Sequence, residues 1–260
     1  MKIAVTGKGG VGKTTIAASL ARLYAWDEKR VLAVDADPDA NLGLALGFTE
    51  EEIARITPIA EMSGLIAERT GSDKENYGKF FKINPRVDDI PGRFAVAKNG
   101  VKLLVMGTVD TGGGGCVCPE HVMLKRVISH LVLNSDDVVI MDMEAGIEHL
   151  GRGTAGMVDR FIVVVEPGAR SLQTYTRIKS LAADLGVKRV SVVGNKIMNE
   201  ADKGFISARV PQGDLLGFIR FNTGVMEADK AGEAPLANDE GFADEVMQIK
   251  AHLEEISADH

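Results

Sequence analysis

A glycine-rich stretch near the start of the chain has the residue types that cradle a phosphate group. It reads Gly-Lys-Gly-Gly-Val-Gly-Lys-Thr-Thr and follows a short apolar run. Glycines allow positive φ angles and close backbone approach, so successive N–H groups can point at an anion, and the next helix adds its free N-terminal donors. Lys13 can then reach the β- and γ-phosphates of a nucleotide, and the Thr14 hydroxyl can bind Mg²⁺. The expected nucleotide contacts are Gly7, Lys8, Gly9, Gly10, Val11, Gly12, Lys13, Thr14 and Thr15.

Three aspartates are expected beside this loop because each stands at the end of an apolar run. Asp35 and Asp37 follow one run, and Asp142 closes the run Val-Val-Ile-Met-Asp. Carboxyl ends of parallel strands face the ligand crevice of an open α/β sheet. One carboxylate could hold Mg²⁺ while another orients the attacking water, and Asp142 has the usual position of the magnesium aspartate. We predict Asp37 and Asp142 as magnesium residues with Thr14. Asp35 is predicted as a nucleotide-site residue, with a turn-forming role as the alternative.

Two cysteines, Cys116 and Cys118, follow four consecutive glycines and are the only cysteines in the chain. In an extended segment, residues two apart point to one face at roughly 6.6 Å. They therefore supply half of a four-ligand metal site, which a twofold dimer could complete, and thiolates suit Zn²⁺ or Ni²⁺. His121 could be a further ligand, although a capping or surface position is the expected one. The alternative is that the cysteines are small buried residues without a ligand.

The elements that must position these residues alternate between short apolar runs and helical patterns. This alternation is typical of βαβ units, and continuous Val, Ile and Leu runs indicate strands covered on both faces. We predict the α/β class: one doubly wound, mostly parallel sheet with helices on both faces, forming a single domain over residues 1–260. Residues 48–92 are predicted to be an irregular insertion at one edge. The predicted strands are Lys2–Thr6, Arg30–Val34, Val101–Met106, Val138–Met141, Phe161–Val165, Arg189–Val193 and Leu215–Ile219.

Helices are predicted after several of these strands, and one hairpin at the edge of the sheet. Asn99-Gly100 is a typical two-residue hairpin turn, which would pair Arg93–Ala97 with the strand that follows it. The predicted helices are Lys13–Trp26, Pro119–Leu133, Ser171–Leu185 and Phe242–Ile256.

Composition excludes several classes of protein. Of 260 residues, 45% are apolar and 26% are charged, which is ordinary for a globular chain with a large core. The net charge of -7 argues against a protein whose main task is to hold nucleic acid. No stretch approaches the roughly 20 apolar residues that span a bilayer, and the first residues lack the long apolar run of a signal peptide. We therefore expect a cytoplasmic protein.

The loop contains a lysine, Lys8, in addition to Lys13, and this extra lysine indicates a particular family. The loop resembles the variant Walker A motif of the MinD, ParA and nitrogenase iron-protein class of ATPases. That resemblance implies a homodimer in which Lys8 reaches the partner's nucleotide, and it implies that Asp37 positions the attacking water, with Asn41 in the same switch segment. The catalytic residues implied are Lys8, Lys13, Asp37 and Asp142.

Asn195-Lys196 resembles the base-reading pair of this class. In GTPases an aspartate stands two residues after the lysine and accepts from guanine, but Met198 has that position here. Adenine is therefore favoured, with a helix-capping role for Asn195 as the alternative. Arg220 stands where this class is expected to have a proline near the base.

A more specific resemblance covers essentially the whole chain. Cys116-Val117-Cys118, the segment Met141–Leu150 and Arg152-Gly153-Thr154 are similar to the CooC-type nickel-insertion ATPases that mature carbon monoxide dehydrogenase, which have relatives serving acetyl-CoA synthase. The resemblance implies an ATP-gated homodimer that binds ATP or ADP, Mg²⁺ and Ni²⁺, with Zn²⁺ as the alternative metal. The ion would lie between the Cys-x-Cys segments and pass to carbon monoxide dehydrogenase or acetyl-CoA synthase.

Two other functions fit parts of the pattern. An ATP-dependent iron–sulphur carrier could bridge a cluster on Cys-x-Cys, although the nitrogenase iron protein has its two cysteines on separate segments. A positioning ATPase of the MinD or ParA type would need a basic surface or tail for membrane or DNA. Residues 247–256 are amphipathic but acidic, so packing of that helix on the domain is the favoured interpretation.

Overall fold

The computed structural model describes residues 1–72, 81–108, 118–134, 137–144, 158–187, 189–237 and 239–258. Within these ranges eight strands form one sheet in the order β3-β4-β2-β5-β1-β6-β7-β8. The strands are β1 (Lys2–Gly7), β2 (Val31–Ala36), β3 (Val96–Lys98), β4 (Val101–Val105), β5 (Val138–Met143), β6 (Arg160–Val165), β7 (Val190–Ile197) and β8 (Leu215–Arg220).

All neighbouring strands are parallel except β3, which pairs antiparallel with β4 at the edge. The β3–β4 turn is Asn99-Gly100, whose φ angles of 52° and 81° are those of a type I′ hairpin. The predicted pairing of Arg93–Ala97 is wrong in its first half. Arg93 and Phe94 are the last residues of the short helix Ile90–Phe94, and Pro91 favours a helix there because it stands in the first turn. Only Val96–Lys98 is a strand.

Helices cover both faces of the sheet, as predicted. One face carries α1 (Lys13–Trp26) and α10 (Glu240–Ala258), and the other carries α6 (Pro119–Asn134), α7 (Ala169–Asp184) and α8 (Glu200–Ser207). The α10 residues Val246, Ile249 and Leu253 recur at helical spacing and are buried against the sheet. The remaining α-helices are α2 (Leu42–Ala45), α3 (Glu50–Ile53), α4 (Ser63–Thr70), α5 (Ile90–Phe94) and α9 (Thr223–Ala231). The predicted α/β class is confirmed.

The segment predicted as an irregular insertion contributes to the core. Its described parts contain α3, α4, the 3₁₀-helix Ile59–Glu61 and the start of α5. Ile59, Ile66 and Ile90 are buried in one cluster with apolar residues of α6. The Ala60 N–H donates to the Met106 carbonyl at 2.9 Å, which ties the segment to the end of β4. Residues 73–80 lie outside the described part.

The strand order places the ends of β1, β2 and β5 side by side. Asp142 of β5 is in register with Val5 of β1 and with Asp35 of β2. The chain passes from β1 to β2 on one side of β1 and later from β5 to β6 on the other side, and ligand crevices form at such a switch point. Among the described residues, no helix combines the length and the apolar character that crossing a membrane requires.

Candidate functional site

The glycine-rich loop joins the end of β1 to the start of α1. A Cβ atom at Gly7 would lie 2.6 Å from the Val164 carbonyl oxygen, and one at Gly12 would lie 2.4 Å from Asn195 Nδ2. Gly12 also has a φ of 94°, a conformation that other residues avoid. These two positions therefore require glycine, and α1 begins directly afterwards at Lys13 with its free N–H groups toward the loop.

Lys13, the first residue of α1, forms an ion pair with Asp37, which follows β2. Lys13 Nζ lies 2.7 Å from Asp37 Oδ2, and both side chains are nearly buried. Burial by itself lowers the pKa of Lys13, but the hydrogen bond that its ammonium donates to Asp37 and the charges of Asp142 and Asp37 together outweigh burial and raise the pKa. Lys13 is therefore fully charged at neutral pH, as a phosphate-binding lysine must be. The structure thus brings together two of the predicted catalytic residues.

Asp35, near the end of β2, is buried close to Asp37. Its carboxylate accepts hydrogen bonds from the backbone N–H of Leu42 at 2.9 Å and from that of Asp37 at 3.3 Å. Burial raises the pKa of Asp35 to about 7, against the pull of these two bonds. Through these two hydrogen bonds Asp35 holds the segment that carries Asp37 in place. Its predicted contact with the nucleotide stays a prediction.

Asp142 has the features expected of a magnesium residue. It is fully buried, and neither carboxylate oxygen has a hydrogen bond of acceptable geometry. Burial raises the pKa of Asp142 to about 6, while the nearby Thr14 hydroxyl and the Lys13 ammonium oppose the rise. Uncompensated buried oxygens beside a hydroxyl suit a hard cation. Mg²⁺ held by Thr14 and Asp142 would neutralise charge between the β- and γ-phosphates.

Lys8, the predicted lysine of the partner's site, is half-buried at the start of the loop. Its ammonium has no hydrogen bond or ion pair to the part of the chain that the structure describes, unlike Lys13. Its role at the partner's nucleotide stays a prediction.

A cavity of about 290 Å³ continues from the phosphate loop between the ends of β7 and β8 and helix α9. Its position fits the base and ribose of a nucleotide. Arg220 lines it and is held by Glu245, whose carboxylate accepts from the Arg220 backbone N–H at 3.0 Å and from its guanidinium Nε at 2.5 Å. Sequence reasoning missed the lining residues Phe221, Met226 and Asp229, because no spacing pattern joins them to the loop. The predicted pair Asn195 and Lys196 also lines this cavity.

The cysteine segment is described only from Cys118 onward, so Cys116 lies outside the described residues. The same holds for residues 145–157, which include most of the second resemblance motif. Cys118 Sγ lies 3.1 Å from His121 Nδ1 and accepts from the His121 backbone N–H at 3.5 Å. Burial raises the pKa of the Cys118 thiol. Within the described ranges, no group of three or more His, Cys, Asp or Glu side chains converges as a metal site.

Asp35 should make the stability of the fold depend on pH. Its pKa of about 7 in the folded protein lies above the ordinary 3.8, so the folded chain holds an extra proton between these values. The resulting stability is present at low pH and is lost as the pH rises through about 7. Asp35→Asn cannot ionise and should reduce the fall in melting temperature between about pH 5 and about pH 7.5. The exposed Asp184→Asn is the matched control, and an unchanged fall in Asp35→Asn would contradict the assignment.

Comparison with known proteins agrees with this site. A family model for the CobQ/CobB/MinD/ParA nucleotide binding domain matches residues 2–236. The chain is 52% identical over 232 residues to the carbon monoxide dehydrogenase accessory protein CooC of Rhodospirillum rubrum, covering 89% of this chain and 88% of that protein. An uncharacterized ATP-binding protein of Methanocaldococcus jannaschii is 45% identical over 96% of each chain.

Solved structures show the same architecture at lower identity. MinD of Aquifex aeolicus superposes with a TM-score of 0.67 and 20% identity, covering 98% of this chain and 97% of that one. A ParA family ATPase of Chlorobium tepidum gives a TM-score of 0.66 at 18% identity, covering 97% of each. The chain belongs to the CobQ/CobB/MinD/ParA nucleotide-binding family. It is a P-loop ATPase with a MinD-like fold, and its predicted resemblance to CooC is confirmed.

Proposed function

We propose that this protein is an ATP-driven accessory factor that delivers nickel during maturation of carbon monoxide dehydrogenase or acetyl-CoA synthase. It works in the cytoplasm as a homodimer, and Cys116 and Cys118 of both chains hold one Ni²⁺ (or Zn²⁺) ion between them. ATP bound with Mg²⁺ closes the dimer, and hydrolysis loosens it and releases the ion to the client enzyme. The identity of 52% to a carbon monoxide dehydrogenase accessory protein supports the client class.

The observation that carries the proposal is the position of Cys118 relative to the nucleotide switch. A cavity of about 220 Å³ is lined on one side by Ala36 and Pro38, which flank Asp37, and on the other by α6 residues that include His121. Cys118 immediately precedes α6 and contacts His121. The Asp37 segment and the start of α6, which follows Cys118 directly, therefore line the same cavity, so a shift of the Asp37 segment would change the space beside the cysteine segment. This arrangement supports coupling of ATP turnover to metal release.

The direct test is transfer of nickel to a client. Carbon monoxide dehydrogenase prepared without nickel, but with its iron–sulphur centres intact, is incubated with nickel-loaded protein and ATP. We expect activation faster than with the same concentration of free nickel, and no such gain with Cys118→Ala or without ATP. Nickel-deficient acetyl-CoA synthase forms a parallel arm. Activation no faster than with free nickel in both arms would contradict the proposal.

An iron–sulphur carrier is the alternative that the cysteines leave open. Anaerobic purification followed by an absorption spectrum separates the two. A bridging cluster gives broad visible charge-transfer bands, whereas a zinc site is colourless and a nickel–thiolate site has a distinct, narrower pattern. We expect no cluster spectrum in the purified protein.

A further inference from the structure

Cys118 has the cap position of helix α6, and two atoms of His121 contact its sulfur. The Val122 N–H donates to the Cys118 carbonyl at 3.1 Å, which closes the first turn, and Pro119 is the first helical residue. A side chain at a cap position commonly accepts from the backbone three residues on. The Cys118 sulfur accepts from the His121 N–H at 3.5 Å in this way, and the ring nitrogen Nδ1 of His121 lies 3.1 Å from the same sulfur. The first turn of α6 therefore restrains the sulfur through both the backbone and the ring of His121.

Metal binding changes which contacts the Cys118 sulfur can keep. A sulfur that binds metal has lost its proton and can only accept hydrogen bonds. The Glu120 carboxylate, which also hydrogen-bonds the thiol, is an acceptor and loses this contact when the metal displaces the proton. The backbone N–H and the ring Nδ1–H of His121 can both donate to a thiolate. Of these two neighbours, His121 is the one whose contacts become stronger when the sulfur is charged.

The His121 ring also borders the cavity of about 220 Å³ beside the Asp37 segment. Leu124 and Ile128 follow His121 at helical spacing and line the same cavity, so this face of α6 points into it. The ring is half-buried, and its loss widens a cavity that already exists. A substitution of His121 should therefore leave the fold intact while it removes a contact to Cys118.

We infer that His121 is a positioning residue of the metal site, in place of the ligand role that its residue type permits. The ring Nδ1–H holds the Cys118 thiolate in the orientation in which it binds the ion. Four thiolates around one divalent ion leave the site negatively charged, and N–H donors to sulfur offset part of that charge. The inference rests on the proposed metal site and deepens it.

Nickel affinity in variants of His121 tests this inference. Full-length protein without metal is titrated with Ni²⁺ against a competing chelator, and the nickel–thiolate charge-transfer bands are recorded at each step. His121→Ala should weaken nickel binding by about 10- to 100-fold, which is typical for loss of a hydrogen-bond partner of a metal ligand. The bands should keep their wild-type wavelengths because the ligands are unchanged. His121→Asn offers an amide N–H about where Nδ1 stands, so it should recover most of the affinity.

Leu124→Ala is the matched control, because it changes no charge, lies one turn along α6 and widens the same cavity. It should bind nickel as the wild type does, and thermal unfolding with ATP titration shows that each variant is folded. Unchanged affinity in His121→Ala, an equal loss in Leu124→Ala, or no recovery in His121→Asn would overturn the inference. Shifted bands in His121→Ala would also overturn it, since they mark the loss of a ligand. A wild type without tight nickel binding would overturn the proposed function too, whereas normal wild-type binding confines a failure to the role of His121.

Discussion

Lys13→Ala should abolish nucleotide binding and hydrolysis. Lys13 is the charged group at the head of the loop, and its pKa is raised, so it carries a full charge toward the phosphates at any neutral pH. Removing a preorganised, charge-assisted donor from such a site costs about 100-fold or more. The effect is measured by calorimetry with ATP and by phosphate release. Lys102→Ala, an exposed lysine on β4, is the control and should behave as the wild type.

Asp37→Ala should separate binding from hydrolysis. Loss of the 2.7 Å ion pair frees the Lys13 ammonium for phosphate, so ATP binding should persist. Hydrolysis should slow strongly because the proposed water-positioning carboxylate is gone, and the ATP-bound dimer should accumulate. Equal hydrolysis rates in wild type and Asp37→Ala would remove Asp37 from the catalytic role.

Cys116→Ala and Cys118→Ala should each eliminate the tight metal site and the dimerisation that metal promotes. Each chain supplies two thiolates, and a closed Zn²⁺ or square-planar Ni²⁺ site needs about four ligands. Metal binding and dimerisation are therefore linked. Any ligand that favours the dimer should raise the metal affinity, by the same factor by which the metal raises the affinity for that ligand. The burial that raises the pKa of the Cys118 thiol makes the metal compete with a proton, so affinity should rise with pH.

ATP binding should survive in both cysteine variants, because among the described residues the contacts of Cys118 are to Glu120 and His121 at the start of α6. Equilibrium dialysis with nickel and zinc, beside calorimetry with ATP, measures the two properties on one preparation. Lys125→Ala, an exposed residue of α6, controls for changes on this helix. Metal affinity in Cys118→Ala equal to that of the wild type would exclude the cysteine site.

Sequence patterns correctly predicted the elements whose structure is determined by residues that are close together in the chain. The strands β1, β2, β5 and β6 are continuous buried runs. Helix α1 begins and ends where its sequence indicated, because Gly12 precedes it and Asp27 follows it. The strand-end positions of Asp35 and Asp142 followed from parallel topology alone, and the register pairs them. The hairpin turn at Asn99-Gly100 was also predictable, since few other turns suit that dipeptide.

The contacts that decide individual roles could not be predicted in the same way. Asp35 and Asp37 have equivalent positions in the sequence, yet only the fold shows that Leu42 returns to bond Asp35 while Lys13 pairs with Asp37. The hydrogen bond from the Asn195 side chain to the Val11 carbonyl joins residues that are 184 positions apart in the chain, and no spacing rule links them. The error at Arg93 arose because a helical turn before β3 competes with strand pairing over a few residues.

The central claim, one metal ion shared by two chains and coupled to ATP, is tested most directly by metal analysis of the sedimenting species. Protein titrated with Ni²⁺ in the presence of a non-hydrolysable ATP analogue is sedimented, and nickel is measured across the boundary. We expect a dimer that carries one nickel ion per two chains, and no nickel in the sedimenting Cys118→Ala protein, whose ATP-dependent dimerisation should persist. One tight ion on each monomer, with no change in mass, would contradict the account.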